Sequence, residues 1–249
     1  MARRVAINFK EVKPIIVGAA GAFVASRIQR FEMPVTLPST DVDELGRRVH
    51  VGTVTDLPEV TVTFQAMDVS TKLFAALAGK VWANWVTNTA FDVSTLGEVD
   101  IIGEIKDSTT EDLAKAVVVR KAKISNFTYS YSVDGEATEE YTAVGTDKRW
   151  FKYDVQADAF DGATPLYAYT LTQTPIALKN GNKLVSVIAN GSYLLEVTTV
   201  PLTGQYRVTA GTTLTLGNAI AASAKVVAVY HCNKALNWTD VSDQTIPVA

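Results

Sequence analysis

The chain has 249 residues, with 23 basic and 26 acidic side chains and a net charge of −3. At 47% hydrophobic and 20% charged residues it is neither a disordered nor a collagen-like sequence, and it is long enough to bury a core in one large or two small domains. There is no basic excess to grip nucleic acid, a single cysteine (Cys232) excludes an intrachain disulfide, and two histidines leave little material for a metal centre or general base.

The first feature along the chain is the apolar run Ile15–Ala25, IIVGAAGAFVA. It is far short of the roughly 20 residues that span a bilayer, so no membrane insertion is expected. Arg3 and Arg4 before it and the small residues at its end have the features of a signal peptide. Glu11 and Pro14 interrupt that pattern, and the competing reading is a flexible arm or a buried first strand.

Next comes a long connection, Ser39–Pro58. Its acidic stretch Asp41-Val42-Asp43-Glu44 lacks the ligand series of a calcium loop and reads as a solvated turn. Asp41, Asp43, Glu44 and Asp56 stand against Arg47 and Arg48, so opposite charges are available for contacts between copies of the chain. The expectation is a subunit-interface element.

Pro58–Ala66 alternates Val60, Val62, Phe64 and Ala66 with Thr61, Thr63 and Gln65, the pattern of a half-buried strand. Asp68 is placed to cap a helix over 69–78, with Gly79 past its end. Its apolar stripe is Val69, Leu73, Ala76 and Leu77. Trp82 and Trp85 follow as core or interface anchors.

The sharpest local signal is Lys123–Gly145, two β-type runs around Asp134-Gly135. A register pairing Tyr129 with Tyr141, Phe127 with Ala143 and Val133 with Ala137 gathers the apolar residues on one face, with Glu139 out of place. The other face is then wholly polar: Thr128, Ser130, Ser132, Thr138, Glu140 and Thr142. Lys148-Arg149-Trp150-Phe151 beyond it has the makings of a base clamp, though a Trp and Phe closing a strand on the core is the commoner use.

Residues 161–249 carry nine charged side chains and the first 160 carry forty, a break that suggests a domain boundary near Asp161–Pro165. Runs at 166–173, 175–179, 183–189, 192–198, 204–209, 212–217 and 224–231, with turns at Asn180-Gly181, Asn190-Gly191, Gly204 and Gly211, predict a small β-sandwich. Asn190-Gly191 should pair Ile188 with Tyr193. The low charge suggests contacts on both sides, and the closely spaced turns suggest an autonomous unit. His231 and Cys232 are adjacent on a strand and so point to opposite faces; Cys232 reads as a small core residue. No nucleophile elbow, phosphate loop, dinucleotide fingerprint or zinc-hydrolase helix is present, so neither an enzyme nor a cofactor is expected.

The stretch Ser132-Val133-Asp134-Gly135-Glu136-Ala137-Thr138-Glu139-Glu140-Tyr141, followed by Val144-Gly145 and Lys148-Arg149-Trp150, resembles the central hairpin of bacteriophage tail tube proteins. Glu44-Leu45-Gly46-Arg47-Arg48-Val49 and then Leu57–Gly79 are similar to that family's long loop, strand and helix. The resemblance covers roughly residues 27–160. It implies a mainly β chain: a tail-tube-type β-sandwich or barrel with one packed helix over 1–163, the chain returning to it at 232–249, and an added immunoglobulin-like sandwich over 164–231. It also implies a structural virion protein that forms stacked hexameric rings around a DNA channel lined by the polar hairpin face. The implied partners are other copies of itself, the tape-measure protein and DNA in the lumen, the tail terminator and baseplate proteins, and a sheath protein if the tail contracts. The implied location is the virion tail, with the host cytoplasm before assembly. Rival readings are another virion ring or decoration protein and a carbohydrate- or host-surface-binding β module.

Overall fold

The computed structural model describes residues 9–19, 21–25, 28–36, 39–42, 52–55, 59–67, 71–78, 97–107, 113–130, 137–151, 155–162, 167–222 and 224–233. The Asp68 cap, Trp82, Trp85, the Asp134-Gly135 turn and the return at 234–249 lie outside them. In chain order the elements are β1 (Phe9–Gly18), β2 (Gly21–Val24), β3 (Ile28–Glu32), β4 (Val35–Thr36), β5 (Ser39–Val42), β6 (Gly52–Thr55), β7 (Glu59–Ala66), α1 (Thr71–Leu77), β8 (Val99–Asp107), β9 (Leu113–Ser130), β10 (Thr138–Gly145), β11 (Asp147–Phe151) and β12 (Val155–Asp161). After these come β13 (Ala168–Thr170), β14 (Ser186–Ala189), β15 (Ser192–Tyr193), β16 (Leu195–Glu196), β17 (Gln205–Thr209), β18 (Thr213–Leu216) and β19 (Lys225–His231). The protein is mainly β. No helix among the described residues is long and apolar enough to cross a membrane.

Nine strands form one sheet in the order β2-β1-β8-β9-β10-β7-β3, with β11 also on β9 and β4 on β7. The 18-residue β9 joins its two halves. Its N-terminal part pairs with β8 on one side and β11 on the other, and its C-terminal part pairs with β10. The halves face each other across a first core. Ile16, Ile101 and Val119 come from one half, Val60, Phe64 and Tyr141 from the other, and Leu73, Phe74 and Leu77 of α1 join them. The apolar run at Ile15–Ala25 is the buried hairpin β1–β2, with Gly21 at a φ of 107° after the turn.

Residues 155–231 fold as two further four-stranded sheets, β12-β19-β14-β15 and β13-β18-β17-β16. Between them lies a core that includes Tyr169, Val187, Tyr206, Leu214, Val226, Ala228, Tyr230 and Cys232. The sandwich does not stand apart. Val155, Ala157, Ile188, Val227 and Val229 on the outer face of its first sheet pack against Ile15, Val17, Ile102, Ala116 and Val118. The molecule is therefore four β layers around three cores.

Side-chain alternation drives this stacking. Neighbouring residues on a strand face opposite ways, so a strand buried on both sides reads as a near-continuous apolar run, its few polar groups hydrogen-bonded. The runs Ile15-Ile16-Val17, Val118-Val119 and Val226-Val227-Ala228-Val229 are such strands, and each distributes its members between two cores. Two-sided burial of the β12-β19-β14-β15 sheet leaves little room for charge there.

Four expectations are corrected. The sandwich begins at β12, which pairs along its whole length with β19, so the composition break near 161 falls after its first strand. Residues 175–179 are not a strand: Ile176 and Leu178 donate N–H bonds to the carbonyls of His231 and Asn182 in an irregular segment. The ends of the Ser39–Pro58 connection are themselves paired, β5 with β6. Phe74 belongs to the buried face of α1, which the predicted stripe omits. The predicted pairing of Ile188 with Tyr193 is observed, with Asn190 at a φ of 49° and Gly191 at 77°.

Candidate assembly surface

The sheet half that carries the β9–β10 hairpin has one dry and one wet face. Its register is two residues away from the expected one: Phe127 pairs with Tyr141, Tyr129 with Glu139, Thr128 with Glu140 and Ser130 with Thr138. A shift of two leaves every side chain on the same face, so the division into faces holds while the partners change. The third strand sets the register. In this alignment Phe31, Phe64, Tyr141 and Phe127 form one row across β3, β7, β10 and β9. Phe64 and Tyr141 stack at 5.3 Å, and Phe74 of α1 lies 4.8 Å from Phe127. Glu139, the misfit of the dry face, is buried and accepts a hydrogen bond from the Tyr141 hydroxyl. Desolvation, then that bond, pushes the Tyr141 hydroxyl well above its ordinary range.

The wet face is broader than the hairpin. The pairing aligns Arg30, Gln65, Glu140 and Thr128 in one row across four strands, and Glu32, Thr63, Thr142 and Asn126 in the next. Thr128, Ser130 and Glu140 are exposed, and Thr138 and Thr142 are half-buried among their neighbours. Ser132 lies outside the described residues. Sequence reasoning missed Arg30, Glu32 and Asn126. The alternation of Ile28 and Phe31 with Arg30 and Glu32 is broken by a bulge at Gln29, which hides the strand pattern.

Charge on this face is balanced. Arg30 reaches Glu32 with two bonds of 2.8 and 2.9 Å. Both groups are exposed, so the pair adds little stability. The bond to Glu32 raises the Arg30 guanidinium above its ordinary range, and the charge of Glu140 adds to it. Glu140 therefore shares its row with a cation, and Lys123 lies farther along β9, 3.3 Å from Glu98.

Of the predicted subunit-interface residues, Asp41 lies on β5, opposite Thr53 of β6. Asp43, Glu44, Arg47, Arg48 and Asp56 lie outside the described residues. In the Lys148–Phe151 segment, Phe151 is buried beside the His231 ring at 5.1 Å. Trp150 turns outward, against the core-closing expectation, and is 53% exposed with the Lys148 ammonium 5.0 Å from its ring centre. Cys232 is a buried core residue directly after the end of β19.

From Lys123 to Ser130, the described residues give β9 a hydrogen-bonded neighbour on the β10 side alone, because β8 pairs no farther than Ala122.

No family model matches the sequence, and no curated protein matches it. Among solved structures, the chain is similar to one from the baseplate of the anti-feeding prophage, at 9% identity over 61% of this chain and 97% of that one, with a TM-score of 0.42. It is similar to one from the sheath/tube terminator of an extracellular contractile injection system, at 13% identity over 60% and 99%, with a TM-score of 0.42. It is also similar to one from the phage p2 baseplate, at 12% identity over 94% of this chain and 89% of that one, with a TM-score of 0.30. At such scores the likeness is one of general β architecture.

Proposed function

We propose that this chain is a structural subunit of a phage-like tail that assembles with copies of itself into stacked hexameric rings. The wet face of the β9–β10 half lines the channel and the sandwich lies outside. The observation that carries this reading is the broad polar sheet face that runs across β3, β7, β10 and β9. Copies set in a ring with these faces inward enclose a channel with a polar lining. The balanced charge suits a conduit, since a polyanion passing over Thr, Ser, Asn and Gln with few net charges meets no array of cations to hold it. In this reading the chain is structural rather than catalytic, the sandwich is an immunoglobulin-like decoration, and its partners are the other components of a tail.

Negative-stain microscopy of the purified chain tests the reading. Hollow rods or six-fold rings are expected, and a protein that stays monomeric at all concentrations overturns it. A second reading, an adhesive module that binds host surfaces, is favoured by Leu195, Val200 and Leu202, all at least 64% exposed on the sandwich. It predicts a monomer that loses surface binding when those three residues become serine.

A further inference from the structure

The strand that carries the wet face also runs beneath the sandwich, and the change between the two roles occurs at one place. Up to Val119, the side chains of β9 that point away from the first core, Ala116 and Val118, are covered by the sandwich. From Lys121 onward the outward side chains are exposed. At the changeover β8 and β9 fall out of step: Val99 pairs with Ala122 and Ile101 with Val119, so Arg120 and Lys121 together oppose Asp100. Lys121 has a φ of 51°, a left-handed conformation that a non-glycine residue adopts at a cost.

Two groups hold this bulge. On the β10 side, Gly145 lies so close that an added Cβ would run into Val119, and the Thr146 N–H donates to the Arg120 carbonyl at 3.1 Å. On the β8 side, the fully buried Asp100 carboxylate accepts the Lys121 N–H at 3.0 Å. The same carboxylate accepts the hydroxyls of Ser186 and Tyr193, the latter at 2.7 Å, both on the β14–β15 hairpin of the sandwich. The Lys121 ammonium also lies 5.3 Å from the centre of the Tyr193 ring. One side chain thus joins three elements: the first sheet, the bend of β9 and the sandwich.

The geometry points to Asp100 as a positioning residue through which the sandwich sets the direction of the β9–β10 hairpin. Ser186 and Tyr193 fix the carboxylate, the carboxylate fixes the Lys121 amide, and that amide fixes the bend beyond which the hairpin projects. The sandwich is then a brace on the wet face and more than an ornament behind it. This coupling resides in the single chain and does not depend on assembly.

Amide hydrogen exchange on the full chain tests it, comparing wild type with Tyr193→Phe, which keeps the ring and removes one donor. Amides of 121–130 should exchange at least about tenfold faster, while those of 226–230 in the sandwich keep their wild-type rates. Unchanged rates at 121–130 would overturn the inference. So would an equal acceleration in both segments, since that reports general loss of stability. Ser186→Ala, a smaller deletion, is read by the same criteria if Tyr193→Phe fails to fold.

Discussion

Ile101 and Ile102 are consecutive in β8, yet their side chains lie in different cores, the first with α1 and the second with the sandwich. Truncating either to alanine should cost about 2–5 kcal/mol. The two should differ in what they couple to. In double-mutant cycles with Val229→Ala, Ile102→Ala should be non-additive, because both residues line the second core, whereas Ile101→Ala should add simply. Urea unfolding of the three single and two double variants measures this.

The shared second core bears on the expectation that the sandwich is an autonomous unit. Replacing 155–231 with a Gly/Ser linker should uncover Ile15, Val17, Ile102 and Val118, all at most 1% exposed in the intact chain. The product should aggregate, as an exposed apolar sheet face does. A soluble, monodisperse product by size-exclusion chromatography would contradict this.

Gly145→Ala should destabilise the chain by about 1–3 kcal/mol, the range for overpacking a filled site. Its Cβ would collide with Val119 and crowd the Arg120 carbonyl. Thr142→Ala, nearby on the half-exposed wet face, should change stability by no more than about 0.5 kcal/mol. Melting temperatures of the two variants distinguish these outcomes.

Burial raises the Asp100 carboxyl above its ordinary range, opposed by the bonds from Ser186, Tyr193 and Lys121 and by the charge of Arg120. A carboxyl with a raised native pKa holds its proton more tightly in the folded than in the unfolded chain. The unfolded chain therefore binds fewer protons, and stability falls as pH rises from the ordinary carboxylate range through the native value. Asp100→Asn has no proton to lose there, so its stability should fall less over the same window. Denaturant titrations from about pH 4 to pH 8 on both proteins measure the difference.

The strand pattern of β7 and the two faces of the hairpin were legible in the sequence, because alternation is a local property and survives a register error of two. The turn at Asn190-Gly191 was legible for a similar reason, since a two-residue turn dictates its own pairing. The partner of β12 was not. Its residues, Val155–Asp161, are separated from β19 by more than 60 positions, and nothing local marks the pairing. The charge break misled because the sandwich keeps an acidic residue on its first strand: Asp158 of β12 is buried, accepting bonds from Thr172 and Tyr230. The clamp at Asp100 was hidden for the same reason, as Ser186 and Tyr193 come within reach only when the second core closes.

The division of the three cores has a consequence for the order of folding. The first is assembled from residues 16–143 and the third from 160–232, so each can condense within its own stretch of chain. The second draws on Ile15 at one end and Val229 at the other and gains nothing until both surfaces exist. Its closure is thus the late, long-range step, in which two preformed bodies dock and the Asp100 carboxylate leaves water. Until then the chain exposes two apolar sheet faces at once, and this is the interval in which a nascent subunit is most exposed to misassembly.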